Sequence, residues 1–286
     1  MGEPREWLEW DLARAREWIA VPRAGDDKYS RGVLGVRTGS DEYPGAAVLG
    51  VEAALRTGVG MVRFLGPRRL SDLVLQRRPE AVPAAGRVQA WLLGSGQDAA
   101  ARDRVTEAAL LVALAEGLPT VCDAGALDLV GRATGSVVIT PHYRELARLL
   151  TRLRSPQGES VAGSEVAAAP GEWAARAATD LGVTVLLKGS VTWIAAPGGT
   201  RLTVSMAPAW LATAGSGDVL GGILGALLAT HSREIQTDAA ALACLAATAA
   251  LVHARAADRA SDGGPITALD IAAAVPATIA ALLAGS

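Results

Sequence analysis

The chain is poor in the residue types that mark several classes of protein. Among its 286 residues there are two Cys, three His, three Tyr and one Phe. So few cysteines exclude a disulfide-stapled framework, and we expect Cys122 and Cys244 to be buried thiols because apolar residues surround both. The histidines, His142, His231 and His253, lack the spacing of metal ligands. The sequence therefore offers no candidate for a direct protein-bound metal site.

An excess of charge of one sign and long hydrophobic runs are also lacking. The 27 basic and 29 acidic residues leave a formal net charge of −2, which gives no reason to expect nucleic-acid binding. The uncharged Ala-rich run near 239–252 is shorter than the ~20 residues of a membrane span. Residues 1–18 carry charges throughout and no apolar signal-peptide core. We expect a cytoplasmic protein that binds neither nucleic acid nor membrane.

Short strand-like and helix-like segments alternate from residue 32 onward. Half of the residues are apolar, and most of these are Ala, Val and Leu, which suit helices packed closely on a sheet. The alternation predicts an α/β fold with a doubly wound, mostly parallel sheet flanked by helices. The predicted strands are 32–36, 61–65, 91–94, 120–122, 137–140 and 183–188, and the predicted helices are 44–57, 99–116, 144–150, 172–181, 217–229, 237–258 and one that begins near 267.

Three further segments have patterns of their own. Residues 1–25 predict an amphipathic helix, 191–196 and 201–204 predict a β-hairpin, and 155–170 predict a surface loop. We therefore expect an N-terminal helical extension over 1–27, followed by one domain over 28–286.

The most informative stretch is Ala-Gly-Ser-Gly-Asp at 214–218, which precedes an apolar helix. Small residues allow a backbone to approach a ligand closely, and a helix N-terminus attracts anions, so Gly215, Ser216 and Gly217 predict an anion hole. Asp218 would repel a phosphate, unless it takes a proton from the hydroxyl that attacks the phosphoryl group. The alternative is that Asp218 caps the N–H groups of its own helix.

Other polar or glycine-rich segments follow the predicted strands, and ligands bind at the carboxyl ends of strands in doubly wound sheets. Lys188 is either a phosphate ligand or a solvated strand-end residue. His142 either binds substrate or forms hydrogen bonds at the start of a helix. Asp123 either steers Mg²⁺ through water or caps the next helix. The segments are Gly39-Ser40, Gly94-Ser95-Gly96, Asp123, Thr140-Pro141-His142 and Lys188-Gly189.

Four segments, in this order, resemble one family. They are Gly39-Ser40-x-x-Tyr43-Pro44-Gly45-Ala46-Ala47, Thr140-Pro141-His142, Lys188-Gly189-x-x-Thr192, and Leu211-Ala212-Thr213-Ala214-Gly215-Ser216-Gly217-Asp218-Val219-Leu220-x-Gly222. Together they resemble the ADP-dependent NAD(P)H-hydrate dehydratases of the ribokinase-like superfamily, over about residues 28–284. The Tyr-Pro-Gly-Ala-Ala and Thr-Pro-His segments are typical of this branch of the superfamily.

The resemblance implies an activity. Such enzymes dehydrate the S epimers of NADHX and NADPHX, the hydrated forms of the reduced nicotinamide cofactors, and convert ADP into AMP and phosphate. It also implies a Mg²⁺ requirement and a homotetramer. Because residues 1–27 are too short for the epimerase domain that longer relatives carry, we expect any epimerase to be a separate chain.

The resemblance also implies roles for particular residues. Asp218 would be the general base and, with Ala46, Gly96 and His142, would bind the hydrated dinucleotide. Ala46 has an alternative role in helix–sheet packing. The ADP- or AMP-binding residues would be Lys188, Gly189, Ser190, Val191, Thr192 and Gly217.

The sequence departs from the family pattern at three places. Thr38 stands where the family has Gly, Tyr143-Arg144 follow Thr-Pro-His where it has Pro-Gly, and 207–210 replace a segment with Asn-Pro-Gly. Two alternatives therefore stay open. One is a ribokinase-like kinase of a small vitamin-precursor alcohol, and the other is a nucleotide-binding module without catalysis.

Overall fold

The computed structural model describes residues 6–154 and 160–285, and a sheet of nine strands forms the centre of this part. The order across the sheet is β1-β9-β8-β7-β6-β5-β4-β2-β3. Neighbouring strands are parallel, except that β8 runs antiparallel to both β7 and β9. The strands are β1 (Leu8–Glu9), β2 (Val33–Arg37), β3 (Met61–Phe64), β4 (Ala90–Leu93), β5 (Thr120–Cys122), β6 (Val137–Ile139), β7 (Thr184–Leu187), β8 (Thr192–Ala195) and β9 (Arg201–Val204).

Helices cover both faces of this sheet, which confirms the predicted doubly wound fold. In the order of the chain they are α1 (Leu12–Glu17), α2 (Gly45–Thr57), α3 (Arg68–Arg77), α4 (Arg104–Ala115), α5 (Tyr143–Arg154), α6 (Gly163–Ala168), α7 (Pro170–Leu181), α8 (Ser216–Thr230), α9 (Glu234–Thr237), α10 (Ala241–Ser261) and α11 (Ala268–Ala284). Two 3₁₀ segments, Ala124–Arg132 and Ala209–Leu211, complete the description.

Successive side chains along each strand point to opposite faces of the sheet and so enter two different hydrophobic layers. Leu92 of β4 belongs to the layer that includes α2, α8, α10 and α11, whereas its neighbours Trp91 and Leu93 belong to the layer with α4, α5 and α7 on the opposite face. The two cysteines divide in the same way, Cys122 into the second layer and Cys244 into the first. Both are buried and free, as predicted.

The helix predicted over residues 1–25 is confirmed only over α1 (Leu12–Glu17) among the described residues, which begin at 6. Leu8–Glu9 instead form the edge strand β1, which pairs with β9, and α1 is short. The Glu9 carboxylate accepts a hydrogen bond from Thr203 Oγ1 at 2.6 Å, and Trp10 Nε1 donates to Thr248 Oγ1 at 3.1 Å. These tertiary bonds override the helical periodicity of the segment.

The loop predicted over 155–170 is wrong where the structure describes it, while 155–159 lie outside the described residues. Gly163–Ala168 form α6 and Pro170 opens α7. Buried Val166 anchors α6, and the Glu165 carboxylate accepts a hydrogen bond from the Ala162 N–H at 2.6 Å. The predicted helix 99–116 begins later than expected, at Arg104, because the Asp103 side chain caps it.

Helix α10 is longer than the uncharged run near 239–252. Its 21 residues are long and apolar enough to cross a membrane by length and composition alone. Within the fold, however, 83% of its most apolar window is buried. It contacts α8, α11, α1 and the strands β7 to β9, so α10 is a core helix of this domain.

A buried carboxylate fastens α2 to the chain around α3. The Glu52 side chain is fully buried and accepts hydrogen bonds from Arg56 Nε at 2.6 Å, from Arg77 Nη2 at 3.2 Å and from Arg78. Burial by itself would raise the pKa of Glu52, but the three guanidinium groups outweigh it and lower that pKa to about 2. The ionised form is therefore part of the folded structure.

We expect this network to make folding sensitive to acid. Because the folded-state pKa lies below the unfolded value, the stabilisation is complete above the unfolded pKa and is lost as the pH falls towards the folded one. The free energy of unfolding should fall by about 2 kcal/mol more between pH ~6 and ~3 in the wild type than in Glu52→Gln, in urea titrations. The control is Glu80→Gln, which removes an exposed partner of Arg78. Equal pH slopes for the wild type and Glu52→Gln would contradict the prediction.

Candidate functional site

Asp218 lies in the first turn of α8, where a sharp turn brings the chain to the carboxyl edge of the sheet. Gly215 precedes the helix with a φ of 86°, a left-handed conformation that favours glycine. A Cβ at Gly215 would lie 2.5 Å from Leu49 Cδ1 and 3.0 Å from the Ala268 Cβ. The turn is therefore fixed by close packing against α2 and α11.

The start of α8 leaves backbone donors open. The Ser216 N–H donates to the Thr213 carbonyl at 3.3 Å, whereas the N–H groups of Gly217 and Asp218 have no hydrogen-bond partner among the described residues. A Cβ at Gly217 would meet only Lys188 Nζ, at 3.5 Å. Two free N–H groups, the positive end of a 15-residue helix and an ammonium group thus face the same small space. This arrangement suits an anion.

Ser95, at the end of β4, holds the Asp218 carboxylate. Its hydroxyl donates a hydrogen bond to Asp218 Oδ1, and its carbonyl accepts one from the Gly39 N–H at 2.7 Å. The Asp218 side chain makes no capping bond to its own helix, so the capping alternative is not what the structure shows. Burial and the nearby Asp123 charge raise the pKa of Asp218, against the lowering effects of Ser95 and Lys188.

Asp123 and Lys188 form an ion pair beside this carboxylate. Lys188 Nζ lies 3.1 Å from Asp123 Oδ1, which also accepts a hydrogen bond from Thr140 Oγ1 at 2.8 Å. Asp123 precedes the 3₁₀ segment but its side chain does not cap it. These residues follow β5, β6 and β7, three adjacent strands, so the parallel sheet brings them together as the sequence predicted.

Lys188 is not a solvated strand-end residue. Its side chain is about three-quarters buried, and its N–H donates to the Pro141 carbonyl at 2.9 Å. Burial alone would lower its pKa, but the carboxylates of Asp123, Glu145 and Asp218 raise it, so the ammonium form persists at neutral pH. From Lys188 the chain passes through Gly189, Ser190 and Val191 to Thr192, the first residue of β8.

Tyr143, a departure from the family pattern, touches this connection. A Cβ at Gly189 would collide with the Tyr143 hydroxyl, so any larger residue there would have to displace the Tyr143 side chain. Tyr143 thus packs on the connection between Lys188 and β8, away from the Gly39–Ala46 segment.

His142 serves as the cap of α5. Its Nδ1 accepts hydrogen bonds from the N–H groups of Arg144 at 3.1 Å and Glu145 at 3.3 Å, while its own N–H donates to the Glu145 carboxylate at 2.8 Å. Burial lowers the pKa of the His142 imidazole, assisted by Lys188. With Nδ1 accepting, the neutral ring carries its proton on Nε2, which lies 3.6 Å from Glu145 Oε2 on a half-exposed side chain. The helix-start alternative is thus correct, and a ligand that binds Nε2 would lie beside the Glu145 carboxylate.

Ala46 and Gly96 lie against each other. A Cβ at Gly96 would overlap the Ala46 Cβ and lie 3.1 Å from the Tyr43 carbonyl oxygen. Because Gly96 follows Ser95 directly in the chain, this contact lies one residue from the hydroxyl that binds Asp218. The structure thus brings Ala46 and Gly96 together beside Asp218, and close packing accounts for the small size of both.

A magnesium ion would find few protein ligands here. Within residues 6–154 and 160–285 no group of three His, Cys, Asp or Glu residues could hold a metal. Asp123 is close enough to Asp218 for its negative charge to raise the pKa of Asp218. Mg²⁺ commonly binds one or two carboxylates together with substrate phosphates. The residues present therefore fit a magnesium ion only when it is carried by a phosphorylated ligand.

Sequence reasoning missed the roles of two residues of the site. Ser95 lies between two glycines, a pattern typical of a turn. Apart from its position after a strand, nothing in the sequence indicated its hydrogen bond to Asp218. His253 of α10 lies beneath the turn and forms a hydrogen bond with the Ser216 backbone; burial lowers its pKa to about 4. Its Nε2 is buried with no partner. An apolar helix gave no indication of this contact.

Comparisons with known proteins identify the family. The family model of NAD(P)H-hydrate dehydratases matches residues 34–276. The chain belongs to this family. An ADP-dependent (S)-NAD(P)H-hydrate dehydratase of Neisseria meningitidis is 34% identical over 246 residues, which cover 80% of this chain and 79% of the relative.

Two further comparisons concern length and fold. A bifunctional NAD(P)H-hydrate repair enzyme, Nnr, of Mycobacterium tuberculosis is 43% identical over 228 residues, 76% of this chain and 44% of the relative. The chain thus spans about half the length of the bifunctional relatives that it matches. An ADP/ATP-dependent NAD(P)H-hydrate dehydratase of Bacillus subtilis, co-crystallised with ATP and Mg²⁺, has the same fold, with a TM-score of 0.81, 23% identity and coverage of 96% and 99%. Ribokinase-like proteins share this fold, as predicted.

The Ser95 hydrogen bond predicts the titration of Asp218. In the wild type, a carboxyl ¹³C NMR titration, assigned with Asp218→Asn, should give a pKa above 3.8, the ordinary value. Ser95→Ala should raise it further, because the lost donor stabilises the ionised form.

The matched control is Ser205→Ala. The Ser205 hydroxyl donates to the Glu9 carboxylate at 2.7 Å, at the far edge of the sheet. This variant should raise the pKa of Glu9 and leave that of Asp218 unmoved. An unchanged Asp218 titration in Ser95→Ala would show that the hydrogen bond does not act on the carboxylate.

Proposed function

We propose that this chain catalyses the ADP-dependent dehydration of the S epimers of NADHX and NADPHX, giving NADH or NADPH, AMP and phosphate. The observation that carries the proposal is the half-buried Asp218 carboxylate, which is held by Ser95 and lies beside open N–H groups and Lys188. The family match over 34–276 supports a catalytic domain over 28–286.

In the proposed reaction Asp218 acts as general base. It takes the proton of the C6 hydroxyl of the hydrated ring, and the hydroxyl oxygen forms a bond to the terminal phosphorus of ADP while the bond to AMP breaks. The ring nitrogen lone pair then expels phosphate, and loss of a C5 proton restores the double bond. A raised pKa makes Asp218 a stronger base than an ordinary aspartate.

The nucleotide would lie on the Lys188 side of Asp218. The Gly217 N–H and the neighbouring donors of α8 would hold the transferred phosphoryl group, with Lys188 compensating its charge. Gly189, Ser190, Val191 and Thr192 would border the remainder of ADP. Gly215 and Ser216 would shape the anion hole through the turn.

The hydrated dinucleotide would lie on the other side. Ala46 and Gly96 would form the floor of its ring site, since they meet beside the group that holds Asp218. The His142 Nε2–H would donate to a substrate oxygen. Because His142 also caps α5, His142→Asn is a cleaner test of that contact than His142→Ala.

Mg²⁺, bound through the phosphates of ADP, would neutralise charge at the transferred group, with Asp123 and Asp218 as the carboxylates nearest to it. By resemblance we further propose a cytoplasmic homotetramer; sedimentation of the purified protein tests the tetramer.

The decisive test mixes the protein with (S)-NADHX, Mg²⁺ and ADP. The proposal requires recovery of NADH absorbance with stoichiometric AMP and phosphate. A stable phosphorylated alcohol from a different substrate, with no NADH recovery, would favour a small-molecule kinase. Tight ADP binding without turnover of any hydrate would favour an inactive nucleotide-binding module.

Asp218→Asn should lower turnover by roughly 10²–10⁴-fold, because the amide cannot accept the hydroxyl proton. ADP affinity should survive, since the backbone donors remain. Asp270 occupies the same first-turn position in α11 and caps that helix. Asp270→Asn therefore serves as the control, which should lose stability but keep kcat unchanged. Wild-type turnover in Asp218→Asn would refute its role as base.

Gly217→Val should abolish ADP binding by calorimetry, because the side chain would occupy the space between the α8 N-terminus and Lys188. Folding should be retained, since Lys188 Nζ at 3.5 Å is the nearest atom to an added Cβ. Gly198→Val is the matched control, because a Cβ there meets no atom within 4 Å and the residue lies in the β8–β9 hairpin. Unchanged ADP affinity in Gly217→Val would place the phosphates elsewhere.

A further inference from the structure

The solvent face of α4 carries an apolar stripe that the fold leaves uncovered. Val105 and Val112 are 79% and 63% exposed, more than any other large hydrophobic side chain in the described part of the chain. Ala108 and Ala115 are also exposed and occupy the same face. Because these four positions are three or four residues apart, their side chains form one continuous line along the helix. The buried side of α4, which includes Leu110, lies opposite.

This stripe has the pattern of one strand of a coiled coil. Its four residues match the a and d positions of two successive heptads, with valine at both a positions and alanine at both d positions. No charged side chain interrupts the line. The outer side of a surface helix is normally polar, and contiguous exposed apolar side chains mark interaction sites. The stripe therefore indicates that a second helix packs along α4.

The order of large and small side chains indicates that this second helix is another copy of α4. Two copies can run antiparallel about a two-fold axis near the middle of the helix. Val105 of one copy then lies against Ala115 of the other, and Ala108 lies against Val112. Each valine fills the space beside an alanine, which suits helix axes about 8–10 Å apart. A parallel pair would place alanine against alanine and leave gaps.

The charges at the two ends of α4 favour the same antiparallel arrangement. Arg104 is exposed in the first turn, where the positive end of its own helix dipole disfavours a cation. In an antiparallel pair its guanidinium would lie near the C-terminal end of the other copy's α4. That end carries the negative end of the dipole and the exposed residue Glu116. A parallel pair would instead bring both positive helix ends, with both Arg104 side chains, to the same end of the interface.

We propose that α4 forms a two-fold interface with α4 of a second copy of this chain. A helix of 12 residues is about 18 Å long, so contact through α4 alone lies at the low end of the ~1,200–2,000 Å² that specific interfaces bury. We therefore expect this association to depend on protein concentration. A tetramer needs more than one interface, and the α4 contact would be one of them.

The first test is sedimentation of the wild type and of Val112→Glu at matched concentrations. The variant should halve the mass of the assembly, because it places a carboxylate against an apolar surface of the other copy. Val105→Glu, one heptad earlier, should act in the same way. Both side chains are exposed in the single chain, so both variants should keep the far-UV circular dichroism spectrum of the wild type. The matched control is Val21→Glu, since Val21 is 58% exposed but lies outside α4, and its mass should be unchanged.

A cross-linking experiment tests the antiparallel direction. Ala108→Cys and Val112→Cys are prepared as two single variants and oxidised either separately or as an equal mixture. The mixture should form disulfide-linked pairs faster than either variant alone, because position 108 of one copy faces position 112 of the other. The native thiols of Cys122 and Cys244 are buried, so they do not compete.

A wild type that sediments as a monomer at every concentration overturns the inference. So does an assembly whose mass is the same in the wild type and in Val112→Glu. Faster cross-linking within each single variant than in the mixture refutes the antiparallel pairing. Because these measurements need no turnover, a chain that associates through α4 but never dehydrates NADHX would refute the proposed function and leave the interface standing. An active chain whose mass does not respond to Val112→Glu would do the reverse.

Discussion

The ion pair between Asp123 and Lys188 is the contact on which the site depends. It joins the ends of β5 and β7 across β6, and Thr140 of the intervening strand binds the same carboxylate oxygen. Neither charge is well solvated, so removing one partner would leave the other buried and uncompensated, at a cost of several kcal/mol. The pair therefore fixes where the ammonium group stands relative to the α8 N-terminus, 3.5 Å from a Cβ at Gly217.

The same pair sets the charge balance around Asp218. Two carboxylates and one ammonium group share a small, largely buried volume and leave a net negative charge there. Burial and the charge of Asp123 together raise the pKa of Asp218. The positive end of α8 and its two open N–H groups offset part of that charge. A phosphorylated ligand entering this volume adds further negative charge. A cation bound to the phosphates of that ligand would therefore balance the negative charge that the protein does not neutralise. This is consistent with the few metal ligands among the described residues.

The site residues that could be predicted from the sequence were predictable for one physical reason. In a parallel sheet the carboxyl ends of adjacent strands meet at one edge, so short motifs after separate strands converge without further information. Asp123, Lys188 and the Gly-Ser-Gly-Asp turn were found in this way. The roles of Ser95 and His253 could not be, because each depends on one side-chain orientation rather than on a period or a motif. The edge strand β1 was also missed, since its partner β9 is about two hundred residues away along the chain.

Helix α2 links the stability of the fold to the geometry of the site. Its first turn carries Ala46 against Gly96, while Glu52 on the same helix is held by three arginines. Because Gly215 packs against Leu49 between these two points, a shift of α2 would move the α8 turn and the Ala46 contact together. A buried, fully bonded carboxylate is a directional constraint, whereas an apolar contact at the same place would allow α2 to slide. The Glu52 network thus fixes the position of the Ala46 contact relative to the α8 turn. These two features border the crevice in which we place the two ligands on opposite sides of Asp218.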